Sequence, residues 1–383
     1  MIKNKTSSSS TVAINTLALE RKQRKEPVYN FAAGDPVILN HPAISKAAVV
    51  AAEARLSPYA PIMGLPELRL IAANWINSTY ATQFGMENTL VTCGGKFALF
   101  AALQLMLEAK DEVLIPSPFW TSYPALVRLF HAEVKTIAAT EKSDWKIDAE
   151  SLKRALTPRS RVLILNNACN PTGALYSKEE LEALLKVAAE TDLSVISDEV
   201  YSGIVYDDKK FISCGAFPEH KERVLVVQSC SKNFGMTGWR VGFAFGPKDL
   251  IAEMGALQSQ STTGTSILSQ WAAIGALKNA EEVMREMQNI MQKRRDLFIK
   301  TFNQLFACNI PKPASAIYAF IPLSAFGIQG NNCTQVAEAW IKDVGVACVP
   351  GSAFGMPGYI RFAFTESEEV LVEGLKALRK VIA

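Results

Sequence analysis

From about residue 45 onward the chain alternates between two hydrophobic periodicities. Short apolar runs recur as LVTC near 90, EVLIP at 112, RVLILN at 161, LSVIS at 193, RVLVVQ at 223 and VGFAFG at 241. Between them apolar residues fall at helical spacing. Short β-rich runs separated by helices predict an α/β fold: a mostly parallel central sheet with helices on both faces. One intervening helix is well marked, because Ser177 and Glu180 form a capping box and Leu181, Leu184, Leu185 and Ala188 follow on one face. Glu281 to Asn303 predicts a long charged helix. Thr365 and Glu368 predict the start of a final helix whose Leu371, Leu375, Leu378 and Ile382 pack a smaller α+β domain. Near the start, Val12 to Arg24 reads as a short helix, and Phe31 to Pro36 (FAAGDP) as a turn ending an extended segment.

Single cores stop growing at about 250–300 residues, so 383 residues divide into two unequal domains. The pattern puts an N-terminal arm and part of the small domain at 1–40, a large domain at 41–285 and a small C-terminal domain at 286–383. Net charge is +3 with both signs interspersed, which argues against a nucleic-acid surface. The seven cysteines are scattered and include no CxxC pair, so neither a disulfide framework nor a metal site is expected. The first 25 residues lack a secretory apolar core, and no stretch approaches the ~18 apolar residues of a membrane span. A cytoplasmic protein without a membrane partner is expected.

In open parallel sheets ligands bind beyond the carboxyl ends of the strands. The residues that follow the apolar runs are therefore the candidates: Gly94-Gly95-Lys96, then Ser117 to Trp120, then Asn167 to Gly173, then Asp198, Glu199 and Tyr201, then Ser229, Ser231 and Lys232. Each alone has a plain structural reading as a turn, a cap, a core residue or a solvated lysine. Together they place a lysine, an acid, an aromatic ring, an amide and a glycine-opened helix at one sheet edge, as a phosphorylated, positively charged aromatic cofactor requires. Two glycines ahead of a helix let backbone N–H groups approach a phosphate. In WRVGFAFG the alternation sets Arg240 among small neighbours, opposite Trp239, Val241, Phe243 and Phe245, with room to reach an anion.

The segment SCSKNFGMTGWRVG resembles the cofactor-lysine motif of the class I and II aminotransferases, fold type I pyridoxal-phosphate enzymes. The resemblance runs through FAAGDP, YAPIMGLPELR, VTCGGKFALF, PSPFWTSYP, NPTG, SDEVY, QSQSTT, VPGSAFG and YIRFAFT in the family's order, and the GGK and SPFW forms are most similar to the bacterial aspartate aminotransferase branch, subgroup Ib. It implies that Lys232 binds pyridoxal 5'-phosphate covalently and then moves the substrate proton. It implies that Asp198 pairs with the pyridine nitrogen, that Tyr201 and Asn170 meet the phenolate oxygen, and that Trp120 stacks on the ring. Gly94, Gly95, Lys96, Ser229, Ser231 and Arg240 would hold the phosphate, with Tyr59 reaching in from a partner subunit. Arg361 would bind the substrate α-carboxylate bidentately, completed by Gly34, Trp120 and Asn170. In YIRFAF, Ile360, Phe362 and Phe364 share one strand face, so Arg361 projects from the other.

The implied activity is transfer of an amino group from an L-amino acid, aspartate first, to a 2-oxo acid such as 2-oxoglutarate by a ping-pong mechanism. Lys96 motivates the choice: a cation is disfavoured at a helix N-terminus, so an anionic partner is expected beside it. Tyr59 and the Gln258 to Thr263 segment imply a homodimer with shared active sites. Three departures from the family pattern bear on the donor: Ser315 where glycine is usual, Ile317 where an aromatic is common, and APIMG at 60–64 where APPAG is commoner. They leave room for an aromatic or neutral amino acid, and a carbon–sulfur lyase on the same fold is a further alternative. A regulator carrying an aminotransferase-like half would need a DNA-binding domain, for which there is no room before residue 30.

Overall fold

The structure, a computed structural model, describes residues 10–382 apart from positions 37, 39, 56 and 57. Its strands in chain order are β1 (Tyr29–Asn30), β2 (Thr89–Thr92), β3 (Glu112–Ser117), β4 (Glu133–Ala138), β5 (Ser160–Asn166) and β6 (Ser194–Asp198). There follow β7 (Val224–Ser229), β8 (Gly242–Phe245), β9 (Tyr318–Pro322), β10 (Val346–Ala347), β11 (Val349–Pro350) and β12 (Tyr359–Ala363). Seven strands form the central sheet in the order β2-β8-β7-β6-β5-β3-β4. Only β8 runs against its neighbours, β2 and β7, so the other six share one direction and their carboxyl ends share one edge.

Alternate side chains of these strands enter two separate cores. Leu114, Leu163, Val195 and Val226 pack on one face against Leu68, Ile76, Leu184 and Ala272 from helices. Val113, Ile164, Ile196 and Val227 pack on the other against Leu99, Leu126 and Ile251. Burial on both faces is why the strands read as continuous apolar runs. All six runs marked in the sequence are strands of this sheet. The seventh, β4, was not anticipated: it is an edge strand whose EVKTIA residues are mostly exposed or half-buried, so it lacks the apolar signal.

A second, antiparallel sheet has the order β11-β12-β9, and β1 pairs with β10. Phe298 and Phe302 of the helix Ala280–Phe306, with Leu371, Leu375 and Leu378 of the helix Glu368–Val381, pack on Ile360 and Phe362 of β12. Phe364 joins the same core, leaving Arg361 on the opposite side as the alternation requires. The capping box at Ser177 and Glu180 forms, with Ser177 N donating to Glu180 Oε2 at 2.7 Å. The final helix corrects its expected start. Ser367 is the N-cap, whereas the Thr365 hydroxyl is held by the Ala33 carbonyl at 3.4 Å while the chain is still leaving β12. Among the described residues no helix is long and apolar enough to cross a membrane.

Candidate active site

The shared carboxyl edge of the sheet opens into a cavity of about 340 Å³ that also reaches β9 and β12 of the small sheet. Gly34, Gly95, Lys96, Trp120, Asn170, Asp198, Tyr201, Ser229, Ser231, Lys232, Arg240 and Arg361 all line it. Gly94 stands just behind, at φ 83, close enough that a Cβ would lie 2.6 Å from an Arg240 terminal nitrogen. Tyr59 is not brought in: it is 90% exposed and lines a separate groove with Thr262 and Thr263. Within the QSQSTT segment Gln258 is buried, donating to the carbonyls of Ile62 (2.6 Å) and Val91 (2.9 Å), so only the residues after it face outward.

Arg240 arrives by a different route from the one its alternation predicts. The chain makes a short 3-10 turn over Thr237–Trp239, Arg240 adopts a left-handed conformation at φ 56, and β8 begins only at Gly242. The guanidinium is steadied by donation from Nη1 to the Thr237 carbonyl at 2.8 Å. Gly242 then allows a close approach, since a Cβ there would collide with the Gly94–Gly95 peptide. That approach sets the N-terminus of the helix Gly95–Met106 against Ser229 and Ser231, whose hydroxyls are 2.9 Å apart.

Asp198 ends β6 and is buried. Tyr123 donates its hydroxyl to Oδ2 at 2.6 Å, and the Val200 N–H approaches Oδ1 at 3.4 Å. Burial raises its pKa to about 6 despite these donors, so a cationic partner would be needed to keep it fully ionised. Lys232, in the turn after β7, donates its amine to the Gly34 carbonyl. Burial lowers its pKa to about 8, Asp35 opposing the effect and Arg361 and Arg240 adding to it. Arg361 is held by Asn170 Oδ1 (3.0 Å) and the Ala32 carbonyl (2.7 Å), between the rings of Tyr318 (4.2 Å) and Phe354 (4.9 Å). Its Nε is buried and has no partner among the described residues. At the other end the Lys96 ammonium rests over the Trp120 ring at 4.9 Å.

Among the lining residues that the sequence did not single out, three bond through their side chains to expected site residues. Tyr123 lies one helical turn beyond Trp120, within the PSPFWTSYP motif, and that spacing was the signal for it. Asn166 accepts from the Asn170 N–H at 2.8 Å and donates to the Asp198 carbonyl at 2.9 Å, tying two site loops together. Tyr318 projects from β9. The departures noted on that segment do not line the cavity: Ser315 donates to the Gly173 carbonyl at 2.9 Å and Ile317 is buried in the small core.

Among the described residues four cations, Lys96, Lys232, Arg240 and Arg361, line the cavity against a single carboxylate, Asp198. Such a site takes ligands carrying more than one anionic group. Hydroxyls, helix-end N–H groups and Arg240 suit a phosphate; the buried acid suits a ring N–H; the low-pKa lysine suits covalent attachment to a carbonyl carbon. The residues present thus fit pyridoxal phosphate, and the fold and site together define a fold type I pyridoxal-phosphate enzyme.

The family described as "Aminotransferase class I and II" matches residues 26–378, and the chain belongs to it. It is a pyridoxal-phosphate-dependent aminotransferase. The chain is 36% identical to the aspartate/prephenate aminotransferase of Thermus thermophilus, over 98% of this chain and 96% of that protein. It is 34% identical to the aspartate aminotransferase of Streptomyces avermitilis, over 98% and 94%. The solved structure of the Thermus thermophilus aspartate aminotransferase with maleate superposes with a TM-score of 0.94 at 34% identity, covering all of both chains.

Proposed function

We propose that this aminotransferase takes L-aspartate as its preferred amino donor and 2-oxoglutarate as acceptor, in a ping-pong cycle. The observation that carries the proposal is Lys96. Among the described residues it makes no ion pair, although burial and the neighbouring Arg240 lower its pKa, and it lines the same cavity as Arg361. A substrate with two carboxylates satisfies both cations at once. The named relatives are an aspartate/prephenate aminotransferase and an aspartate aminotransferase, which supports this reading over an aromatic donor or a carbon–sulfur lyase.

Pyridoxal phosphate, when bound, supplies an electron sink for the bond broken at the substrate α-carbon. The chain's own residues do the rest. Lys232 Nζ would hold the cofactor covalently and, once released, would serve as the base that takes the substrate α-proton and as the acid that delivers it to the cofactor carbon across the shared nitrogen. The Asp198 carboxylate holds a proton on the ring nitrogen, and Tyr123 keeps that carboxylate in place. The hydroxyl of Tyr201 and the amide of Asn170 donate to the phenolate oxygen, while Trp120 covers the ring. Ser229, Ser231, Arg240 and the N–H groups of Gly95 and Lys96 bind the phosphate. Arg361 grips the α-carboxylate beside Gly34.

We read residues 41–285 as the large cofactor-binding domain and 286–383, with the arm 1–40, as the small domain that brings Arg361 to the cavity. We place the protein in the cytoplasm as a homodimer; exposed Tyr59 and the outward residues after Gln258 support an interface at which Tyr59 reaches the partner's phosphate site. Sedimentation tests this: a fully active monomer contradicts it. For the donor, kcat/KM is measured over a panel of amino acids with 2-oxoglutarate. Aspartate and glutamate should exceed alanine and phenylalanine by about 10-fold or more, and a neutral or aromatic amino acid at the top would refute the assignment.

A further inference from the structure

Tyr318 opens β9 and is almost fully buried, yet its side chain meets three parts of the site. Its hydroxyl lies 2.8 Å from the hydroxyl of Tyr201. Its ring lies under the guanidinium of Arg361, 4.2 Å from the centroid to Cζ. Its hydroxyl also fills the space beside Gly34, where any Cβ would collide with it. We propose that Tyr318 is a positioning residue that joins the carboxylate anchor, Arg361, to the hydrogen-bond donor Tyr201, with its ring serving the first and its hydroxyl the second. The inference rests on the reading that the cavity holds pyridoxal phosphate with Tyr201 at the phenolate oxygen.

The direction of the Tyr–Tyr hydrogen bond follows from proton counting. Tyr201 has one O–H, and donating it to the phenolate leaves its oxygen as an acceptor, so Tyr318 is the donor. A hydroxyl that accepts a hydrogen bond is a stronger donor onward. The cation over the ring of Tyr318 draws electron density toward its face and strengthens that first donation. The ionisable groups facing the pair are Asp198 from β6 and Arg361 from β12, and those facing Lys232 are Asp35, Arg361 and Arg240. A firmer donor at the phenolate oxygen withdraws negative charge that would otherwise hold a proton at the Lys232 nitrogen. That proton is then lost at lower pH.

Two variants separate ring from hydroxyl, both studied as holoenzymes beside the wild type. Tyr318→Phe keeps the ring and removes the hydroxyl; Tyr318→Leu removes both. The readouts are the pH midpoint of the cofactor's visible absorption change and the Kd of maleate, a dicarboxylate without an amino group. In Tyr318→Phe the midpoint should rise by roughly 0.5 to 1 pH unit, with maleate affinity within about twofold of wild type. Tyr318→Leu should show the same rise and bind maleate roughly 5- to 30-fold more weakly. A midpoint unmoved in the phenylalanine variant, or unchanged maleate affinity in the leucine variant, overturns the proposal. A wild type with no pH-dependent cofactor band, or no maleate binding, would overturn the cofactor reading along with it, so the two failures are told apart.

Discussion

The two cationic ends of the cavity are built differently. Arg361 is 2% exposed, bonded through Nη1 and Nη2 and clamped between two aromatic rings. Lys96, among the described residues, makes no ion pair and rests on a ring face. A guanidinium already fixed loses little conformational freedom when a ligand arrives, whereas ordering a free lysine costs up to about 2 kcal/mol. The fixed end therefore suits the carboxylate that every amino acid has. The loose end suits a group that differs between substrates and can be retuned without disturbing the core.

Lys232 lines the same cavity, and its loss has the largest expected effect. Lys232→Ala should fold and retain cofactor non-covalently while transamination falls by about four orders of magnitude or more, because tether and proton carrier disappear together. Near-normal turnover with a normal circular dichroism spectrum would contradict the role. Next is the fixed end. Arg361→Lys keeps the charge but loses the bidentate fork, and should lower kcat/KM by about 30- to 5,000-fold, alike for aspartate, alanine and phenylalanine. A loss confined to aspartate would reverse the assignment of the two ends.

At the loose end Lys96→Ala should cost roughly 10- to 150-fold in kcat/KM for aspartate, the worth of a charged hydrogen bond of about 1.5–3 kcal/mol. Alanine and phenylalanine should change by only a few fold, and equal losses would remove the reason to prefer a dicarboxylate. The smallest effect concerns pH. Burial lowers the pKa of Lys232 to about 8, and below that value its amine is protonated and cannot attack a carbonyl. Attachment of pyridoxal phosphate to the apo protein should accelerate about tenfold per pH unit below 8 and level off above it. A rate flat from pH 6 to 9 would show that another group controls attachment.

The same contrast governs what could be read from the sequence. The doubly buried strands announce themselves as apolar runs, and the residues at their carboxyl ends supply most of the cavity lining. The edge strand β4 is silent because half of it meets solvent. Arg240 was placed in the lining by its motif but on the wrong backbone, since strand alternation cannot register a left-handed residue two positions ahead of the strand. Asn166 and Tyr318 were missed for another reason. They act by touching residues distant in the chain, Asp198 from Asn166 and Arg361 from Tyr318, and no local pattern encodes such a contact.

The most direct test of the account is a single half-reaction. Holoenzyme is mixed with excess L-aspartate and no 2-oxo acid, and oxaloacetate is counted against protein chains. The structure predicts one equivalent of oxaloacetate per chain, complete with the change in cofactor absorption, and then no further product until 2-oxoglutarate is added. Continuous turnover without an acceptor, or release of ammonia with a different keto product, would contradict an aminotransferase acting on aspartate at this site.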